Sequence, residues 1–370
     1  MIVKVLIAPR RYVQGVGVLA DIGTYLTPIG KRALLVWDKS VESLFAADVT
    51  ASLKAHNVEP IPFIFSGECD RGQIAKGIEI AKDKKADVVV GIGGGKAIDL
   101  AKAVAWDSGC KIVTVPTIAS NDAPTSSFTV YYTEGGVMDG WGGWPGNPDL
   151  VLVDSKVIVN APVRWLVSGM GDGLSTWFEA EAAFKGRRPA LAGGGATMTA
   201  MTLARLCYDT LMTYGLDAKR DCELHIVTPA VEKVIEANTL LSGLGFESGG
   251  VCTAHAVGNG LTAYPECHKF THGEKVAFGV LSQLCMDDDI DVDERIDVCD
   301  FMISVGLPVT FEDLNMPRVS REKVFEMAEA FVGPGSIAHN HVFPVSPYDM
   351  GCAMLAADAL GKERKALFLK

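Results

Sequence analysis

The chain has 370 residues, of which 48% are hydrophobic, and this size and composition favour a globular protein of two domains over a disordered or fibrous chain. Its formal net charge at pH 7 is −11, and the sequence contains no basic run. This charge balance argues against nucleic acid or a membrane surface as the main partner.

The N-terminal segment and the cysteines bear on where the protein works. In MIVKVLIAPRR an arginine pair follows an apolar stretch that is too short for a signal peptide or a spanning helix. The nine cysteines, an odd number with no Cys-x-x-Cys pair, are not typical of a disulfide framework. Both features predict a cytoplasmic protein with reduced thiols.

Short apolar strands alternate with helical patterns up to about residue 155, which predicts βαβ units and a mostly parallel, Rossmann-like sheet. Several strands are continuous apolar runs, as expected of strands covered on both faces. The predicted strands are residues 3–9, 32–38, 61–65, 87–93, 111–117, 127–132 and 150–154. The predicted helices between them include residues 41–57 and 71–85. The stretch SFTVYYTEGGVMDG (127–140) predicts a hairpin at the edge of the sheet.

The strand pattern stops at about residue 162, and apolar residues then recur at helical spacing. The predicted helices lie around residues 203–211, 228–243, 273–286, 321–332 and 347–363. We therefore predict an α/β domain over residues 1–161 and an all-α domain over residues 162–370. The active site is expected in the cleft between the two domains.

The stretch DVVVGIGGGKAIDLAKAVA (87–105) places three consecutive glycines and Lys96 between a strand and a helix. Backbone amides and the helix dipole make such a turn suited to phosphate or pyrophosphate. The spacing matches neither the P-loop nor the G-x-G-x-x-G motif, because Val90, Lys96 and Ala97 occupy positions that those motifs require for other residues. The alternative is a turn needed only for tight packing, with Lys96 as a solvated helix residue.

Two more polar sites follow strand ends in the predicted α/β domain. Asp38 ends the second strand, where an acidic residue can bind the adenosine ribose and repel a 2′-phosphate; a helix N-cap is the alternative. The loop VPTIASNDAPTS (115–126) follows another strand and is rich in hydroxyl groups. Ligands bind at this edge of a parallel sheet, although the composition is also that of an ordinary turn.

A metal site is predicted in the second half of the chain. Asp172, His255 and His272 form a donor set suited to Zn²⁺ or Fe²⁺, with Asp172 among glycines at the expected start of a helix. A rival set is Cys267, His268 and His272, whose histidines are four residues apart. A lone histidine is also often a hydrogen-bonded core residue, so the spacing leaves these alternatives open.

Six segments, in chain order, carry a family resemblance: GIGGGKAIDLAK, VPTIASNDAPTS, NPDLVLVD, LLSGLGFESGG, AHAVGNG and THGEKVAFG. Together they resemble the glycerol dehydrogenases of the metal-dependent, iron-containing alcohol dehydrogenase superfamily. The similarity extends from APRRYVQG near the N-terminus to about residue 360. It implies a dehydroquinate synthase-like fold, in which an α/β NAD-binding domain precedes an all-α domain that binds metal and substrate.

The resemblance implies NAD as the cofactor, bound across the glycine turn. Gly94, Gly95 and Lys96 match family positions at the phosphates, and Asp38 matches the position at the adenosine ribose. The other matching positions that line the dinucleotide are Thr117, Ser120, Ser126, Phe128 and Tyr132. Phe128 stands where these enzymes usually have leucine.

The resemblance also assigns the metal and substrate contacts. The family's metal ligands match Asp172, His255 and His272. Asp122 matches a residue that contacts the substrate hydroxyls. Iron-type members carry further histidines where this chain has Thr176 and Asn259, and three protein ligands with an open position are typical of catalytic zinc, so Zn²⁺ is expected over Fe²⁺. His268 is then expected near the site but not as a ligand.

The implied activity is the reversible, NAD-dependent oxidation of glycerol to dihydroxyacetone, by hydride transfer from a metal-bound alkoxide to the nicotinamide. The catalytic group would be Asp122 with the three metal ligands. One alternative is the same chemistry on another vicinal diol or hydroxyketone, such as 1,2-propanediol. A second alternative is a catalytically silent dinucleotide-binding protein. The resemblance further implies a large homo-oligomer, such as an octamer.

Overall fold

The computed structural model describes residues 2–65 and 67–368. Six strands form one parallel sheet in the order β1-β8-β5-β4-β2-β3, and two form a separate antiparallel sheet. In chain order the strands are β1 (Tyr12–Gly15), β2 (Arg32–Asp38), β3 (Glu59–Phe65), β4 (Val88–Gly93), β5 (Lys111–Pro116), β6 (Phe128–Tyr132), β7 (Met138–Gly143) and β8 (Leu150–Asp154). The predicted parallel, Rossmann-like sheet is confirmed.

Fourteen α-helices are present in the described residues. They are α1 (Ile22–Leu26), α2 (Lys39–Ala55), α3 (Arg71–Asp83), α4 (Gly95–Ser108), α5 (Ser155–Val159), α6 (Arg164–Lys185), α7 (Met198–Glu223), α8 (Pro229–Glu236), α9 (Ser242–Gly249), α10 (Thr253–Gly260), α11 (His272–Met286), α12 (Val292–Val305), α13 (Arg321–Phe331) and α14 (Pro347–Phe368). A π-helical turn, Ala237–Leu241, joins α8 to α9, and 3₁₀ turns lie at Leu261–Ala263, Pro265–Cys267 and Ile337–Asn340. The described chain has no strand after Asp154, as predicted for its helical part.

Apolar clusters cover both faces of the parallel sheet. Leu35 of β2 shares a cluster with Leu53 of α2, whereas the adjacent Leu34 shares a different cluster with Leu100 of α4. Successive strand residues point to opposite faces, so a strand with helices on both sides must be apolar at every position. This is why the strands read as continuous runs.

The strand predicted at residues 3–9 is wrong. In the described chain this segment contributes one isolated bridge, between Lys4 and Gly195, and Val3 and Leu6 are 75% and 40% exposed. The edge of the sheet is formed instead by β1, which pairs with β8. β-Branched residues favour a strand only where a pleated surface buries them.

The predicted hairpin forms, but its expected position at the edge of the parallel sheet is wrong. β6 and β7 pair only with each other among the described strands. They are bound to a helix instead, because the Val130 amide donates to the Asp99 carboxylate of α4 at 3.0 Å, and the Thr129 hydroxyl donates to the Asp99 carbonyl oxygen at 3.3 Å.

The described chain divides into two compact units. The α/β unit comprises residues 7–165 and 221–243, and the helical unit comprises the described residues of 1–6, 166–220 and 244–370. These units differ from the predicted continuous ranges in three segments, the described residues of 1–6, 162–165 and 221–243. The N-terminal residues bridge to Gly195, and the Gln14 side chain donates to the Glu232 carbonyl oxygen at 2.8 Å. The predicted roles of the domains, cofactor binding in one and metal binding in the other, stay predictions.

None of the helices in residues 2–65 and 67–368 has the length and apolar character needed to cross a membrane. None of the nine cysteines forms a disulfide, and six of them are buried.

Candidate active site

Three predicted metal ligands converge in the helical unit, one each from α6, α10 and α11. The Nε2 atoms of His255 and His272 lie 3.6 and 3.4 Å from the same atom, Oδ1 of Asp172. One ligand atom from each residue lies within 4.8 Å of the others, and in the described part of the chain this is the one such group of His, Cys, Asp or Glu. The Asp172 side chain is 1% exposed.

The spacing and the chemistry of these donors fit a single small cation. Two ligand atoms at about 2.0–2.2 Å from a tetrahedral ion lie roughly 3.3–3.6 Å apart, as the two Nε2–Oδ1 pairs do. One carboxylate and two imidazoles suit Zn²⁺ or Fe²⁺. Burial and the neighbouring His255 lower the pKa of His272, so its imidazole is neutral at pH 7, the form that binds metal ions.

Glu179 supports His255 and was not predicted from the sequence. The Nδ1 atom of His255 lies 2.5 Å from Glu179 Oε2, and Glu179 Oε1 accepts the backbone amides of Cys252 and His255, each at 2.8 Å. Donation from Nδ1 to a buried carboxylate directs Nε2, as a lone-pair donor, towards Asp172. The sequence does contain a signal for Glu179: it follows Asp172 by seven residues, and on a helix such as α6 this spacing places both residues on one face.

Close packing of α6 on the first turn of α11 sets the distance between Asp172 and His272. A Cβ on Gly273 would lie 1.8 Å from the Ser168 carbonyl oxygen, so only glycine permits this approach. The expectation that Asp172 starts a helix is wrong, because it lies in the middle of α6. The neighbouring Gly171 serves helix packing, since its Cβ would lie 2.5 Å from the Gly273 carbonyl oxygen.

His272 is fixed at the first position of α11. Thr271 and Glu274 form a capping box around it, with the Glu274 amide donating to Thr271 Oγ1 at 3.2 Å and the Thr271 amide donating to Glu274 Oε2 at 2.7 Å. The rival set is not assembled in the described residues, because Cys267 and His268 do not join His272 in a ligand group. The Cys267 thiol contacts a backbone carbonyl and a methionine sulfur instead.

In the α/β unit, predicted cofactor residues lie at the carboxyl ends of β2 and β4. Asp38 ends β2 and also caps α2, since its Oδ1 accepts the Ser40 amide at 2.9 Å. Gly94 is the N-cap of α4, directly after β4. The chain leaves these neighbouring strands in opposite directions, from β2 to β3 and from β4 to β5. Doubly wound sheets bind ligands at such a switch point.

The glycine turn lies against the hydroxyl-rich loop that follows β5. A Cβ on Gly95 would lie 2.6 Å from Asn121 Nδ2, so a larger residue would displace the Asn121 side chain. The Thr117 amide donates to the Gly93 carbonyl oxygen at 3.0 Å. Two segments that are distant in sequence thus surround the N-terminus of α4, where the helix dipole favours an anion.

Lys96 is paired with a carboxylate. Its Nζ lies 2.6 Å from Glu68 Oε1 and 5.1 Å from the centre of the Tyr132 ring. The Lys96 side chain is 44% exposed, so the cation is accessible to a ligand. Burial raises the pKa of Tyr132, which keeps its phenol neutral. Glu68 was not predicted, because it belongs to no recognisable motif.

The remaining predicted residues also lie in the α/β unit. The buried hydroxyl residues among them are Thr117, Ser120 and Ser126. The Phe128 ring is 5.5 Å from the ring of Trp141. Asp122 is buried, and its Oδ2 accepts a hydrogen bond from the Ser242 hydroxyl at 2.7 Å.

A buried ion pair on α4, also not predicted, holds the loop that carries Asp122. Lys102 Nζ lies 2.8 Å from Asp99 Oδ1, and the two side chains are 3% and 8% exposed. The same Nζ donates to the carbonyl oxygens of Ala123, at 3.0 Å, and Phe128. The helix whose N-terminus faces the proposed phosphate site therefore also fixes the adjacent loop.

Comparison with known proteins extends over both units. The family model described as "Iron-containing alcohol dehydrogenase" matches residues 9–155. A glycerol dehydrogenase of Citrobacter freundii is 42% identical over 360 residues, which cover 97% of this chain and 98% of that protein. A glycolaldehyde reductase of Halobacterium salinarum is 43% identical, with 96% and 97% covered. Among solved structures, glycerol dehydrogenase from Schizosaccharomyces pombe matches with a TM-score of 0.94 at 35% identity, covering 99% of this chain and 93% of that one.

Proposed function

The chain belongs to the iron-containing alcohol dehydrogenase family, and on that premise we propose that it is an NAD-dependent glycerol dehydrogenase. The reaction is the reversible oxidation of glycerol to dihydroxyacetone. The observation that carries the proposal is the cluster of Asp172, His255 and His272, which lies in a chain similar to glycerol dehydrogenases over nearly its full length.

A divalent cation held by Asp172, His255 and His272 would supply the Lewis acidity that lowers the pKa of a substrate hydroxyl. The protein's own part is to keep these three donors in place. Glu179 orients His255, and the capping box fixes His272. Asp122 contacts a further hydroxyl of the substrate and orients it.

NAD is the proposed hydride acceptor. Gly94 and Gly95 offer backbone amides to the pyrophosphate at the N-terminus of α4, and Lys96 offers a positive charge. Asp38 binds the adenosine ribose through Oδ2, since its Oδ1 caps α2, and its charge disfavours the 2′-phosphate of NADP. The other residues proposed to line the dinucleotide are Thr117, Ser120, Ser126, Phe128 and Tyr132.

The proposed metal is Zn²⁺. Three protein ligands that leave one position open form the usual arrangement of catalytic zinc. Thr176 follows Asp172 by one turn on α6, and Asn259 follows His255 by one turn on α10. Neither of these positions supplies the additional histidine of the iron-type enzymes.

A second candidate substrate is a small hydroxycarbonyl compound or another vicinal diol such as 1,2-propanediol. The 43% identity to a glycolaldehyde reductase supports it, because the same hydride transfer run in reverse reduces an aldehyde. Whichever substrate is preferred, we propose a cytoplasmic homo-oligomer, with the cofactor bound by the α/β unit and the metal by the helical unit.

The test is NADH formation from glycerol by chelator-stripped enzyme that is reloaded with Zn²⁺ or Fe²⁺, with NADH formation from 1,2-propanediol and NADH consumption by glycolaldehyde assayed in parallel. Zn²⁺ is expected to restore activity, and His255→Ala is expected to lack it. The matched control is His268→Ala, which should retain wild-type activity. If no metal restored turnover of any of these substrates while NADH still bound, the alternative of a catalytically silent dinucleotide-binding protein would replace this proposal.

A further inference from the structure

We propose that Ser242 is a positioning residue for Asp122, and that their pairing gives the enzyme its preference for substrates with adjacent hydroxyl groups. The π-helical turn Ala237–Leu241 holds Ser242 in place for this contact. The inference rests on the proposed function, because it takes Asp122 as the group that contacts a substrate hydroxyl.

The contact between the two side chains is short and buried. Ser242 Oγ donates to Asp122 Oδ2 at 2.7 Å, and the two residues are 0% and 9% exposed. Hydrogen bonds to a charged acceptor are among the stronger ones in proteins. A fixed donor on Oδ2 restricts rotation of the carboxylate about its Cβ–Cγ bond, so it also fixes the direction in which Oδ1 points.

The helix geometry at Ser242 is unusual. The Ser242 amide donates to the Ala237 carbonyl oxygen, five residues earlier, rather than to the residue four positions back. A π turn of this kind inserts one residue into the helix and changes the register of everything after it, and such turns are frequent at functional sites. The register at which α9 begins, and hence the position of Ser242, is therefore set by this turn.

The same turn binds the loop on both sides of Asp122. The Asn238 side-chain amide donates to the Ala119 carbonyl oxygen at 2.9 Å. The Thr125 hydroxyl donates to the Thr239 carbonyl oxygen at 2.7 Å. The backbone that carries Asp122 is thus fastened to the turn three residues before and three residues after the carboxylate.

Gly243 permits this close approach. A Cβ on Gly243 would lie 1.8 Å from Thr125 Oγ1 and 3.2 Å from the Asp122 carbonyl oxygen. The loop and the helix are therefore in contact at a distance that excludes any larger residue. The Asn238 and Thr125 side chains already join the turn to the loop backbone, whereas the bond from Ser242 reaches the carboxylate itself and therefore bears on its orientation.

The experiment compares Ser242→Ala with wild type on glycerol and on 2-propanol, which is glycerol without its two flanking hydroxyls. Loss of a hydrogen bond to a charged group is expected to lower kcat/KM for glycerol by about tenfold to a hundredfold, whereas kcat/KM for 2-propanol should stay within about twofold. The matched control is Ser282→Ala. Ser282 is equally buried, but its hydroxyl donates to the Phe278 carbonyl oxygen of its own helix at 2.9 Å, so neither substrate should be affected.

A double variant tests whether Ser242 acts through Asp122. In an Asp122→Ala background, Ser242→Ala should cause no further loss on glycerol. Ser242→Cys, which keeps the shape but not a strong donor, serves if the alanine variant does not fold. Three outcomes would overturn this inference without affecting the proposed function: equal losses of kcat/KM on both alcohols, additive losses in the double variant, or unchanged kinetics of Ser242→Ala. A wild-type enzyme that oxidised no polyol would refute the proposed function as well, so the two failures are distinguishable.

Discussion

Glu179 is wholly buried, and three donors surround its carboxylate: the Nδ1 of His255 and two backbone amides at the start of α10. A buried charge is costly unless close hydrogen bonds offset its desolvation. The groups that donate these hydrogen bonds are the first turn of α10 and the imidazole of His255. The Glu179 side chain therefore caps a helix and orients a proposed metal ligand.

Replacing Glu179 with glutamine is expected to weaken Zn²⁺ binding by about tenfold to a hundredfold, the usual effect of losing a carboxylate behind a ligating histidine. The physical reason is that a neutral amide holds the His255 Nδ1 proton less firmly and makes Nε2 a poorer donor. Chelator competition measures the change without any assay of turnover. Glu181→Gln is the control, because that carboxylate is on the same helix but pairs with Lys185 at 3.5 Å. Equal zinc affinities in the two variants would contradict the role of Glu179.

Asp38→Asn tests the cofactor preference. Asparagine caps helices as well as aspartate does, so α2 should keep its first turn while the charge at the end of β2 is removed. Two charges a few ångströms apart near a protein surface repel by about 1 kcal/mol or more, so the ratio of kcat/KM for NAD to that for NADP should fall by about tenfold. Steady-state kinetics with both cofactors measure it, and Asp48→Asn, an exposed change on the same helix, is the control. A ratio that did not move would show that Asp38 acts only as a cap.

Helix α4 combines the proposed phosphate-binding terminus with the buried pair of Asp99 and Lys102. Burial raises the pKa of Asp99, and the ammonium of Lys102 opposes that shift. The carboxylate also accepts the Val130 amide at 3.0 Å, so this pair binds the hairpin as well as the loop. Removing only one of the two charges would therefore destabilise the protein more than removing both.

Lys102→Met is expected to lower the free energy of unfolding by about 3–5 kcal/mol, because it leaves Asp99 buried without its cation. The added change Asp99→Asn should recover part of this loss, which a double-mutant cycle in urea would measure. The deficit should be smaller at mildly acidic than at neutral pH, since a carboxyl whose folded pKa is raised costs stability only as rising pH ionises it. Lys185→Met removes partly exposed pairs with Glu181 and Asp289 and should cost no more than about 1 kcal/mol. A comparable loss in both lysine variants would contradict the importance of burial.

The elements that could be predicted from sequence are those whose burial depends on neighbours near them in the chain. Continuous apolar runs predict strands β2, β4 and β5, because helices on both faces impose that pattern. Residues 3–9 have a similar composition, but among the described residues they make only the bridge between Lys4 and Gly195, and which segments cover them is decided by distant parts of the chain. The same limit applies at the site. Family resemblance identified Asp172, His255 and His272, whereas Glu179 and the π turn beside Asp122 depend on helix packing that no spacing rule describes.

Across the whole molecule, the reactivity of the nine cysteine thiols is a measure of how far solvent and reagents reach the interior. They are divided between the two units, and six are buried. Burial raises the pKa of Cys222, Cys267 and Cys285 to about 11 and that of Cys252 and Cys299 to about 12. The thiolate is the reactive form, and only about 0.1% of a thiol with a pKa of about 11 is ionised to the thiolate at pH 8.

The native protein is therefore expected to react rapidly with a disulfide reagent at pH 8 at only two thiols, Cys110 and Cys352, which are partly exposed. Cys285 is also partly exposed, but its raised pKa should keep it slow. All nine thiols should react once urea has unfolded the chain. Absorbance of the released thiolate counts the groups, and the variant with both Cys110→Ser and Cys352→Ser should lose the rapid phase. Rapid labelling of further thiols in the native protein would mean that the interior opens on the timescale of the reaction, because six of those thiols are buried and the seventh, Cys285, has a raised pKa.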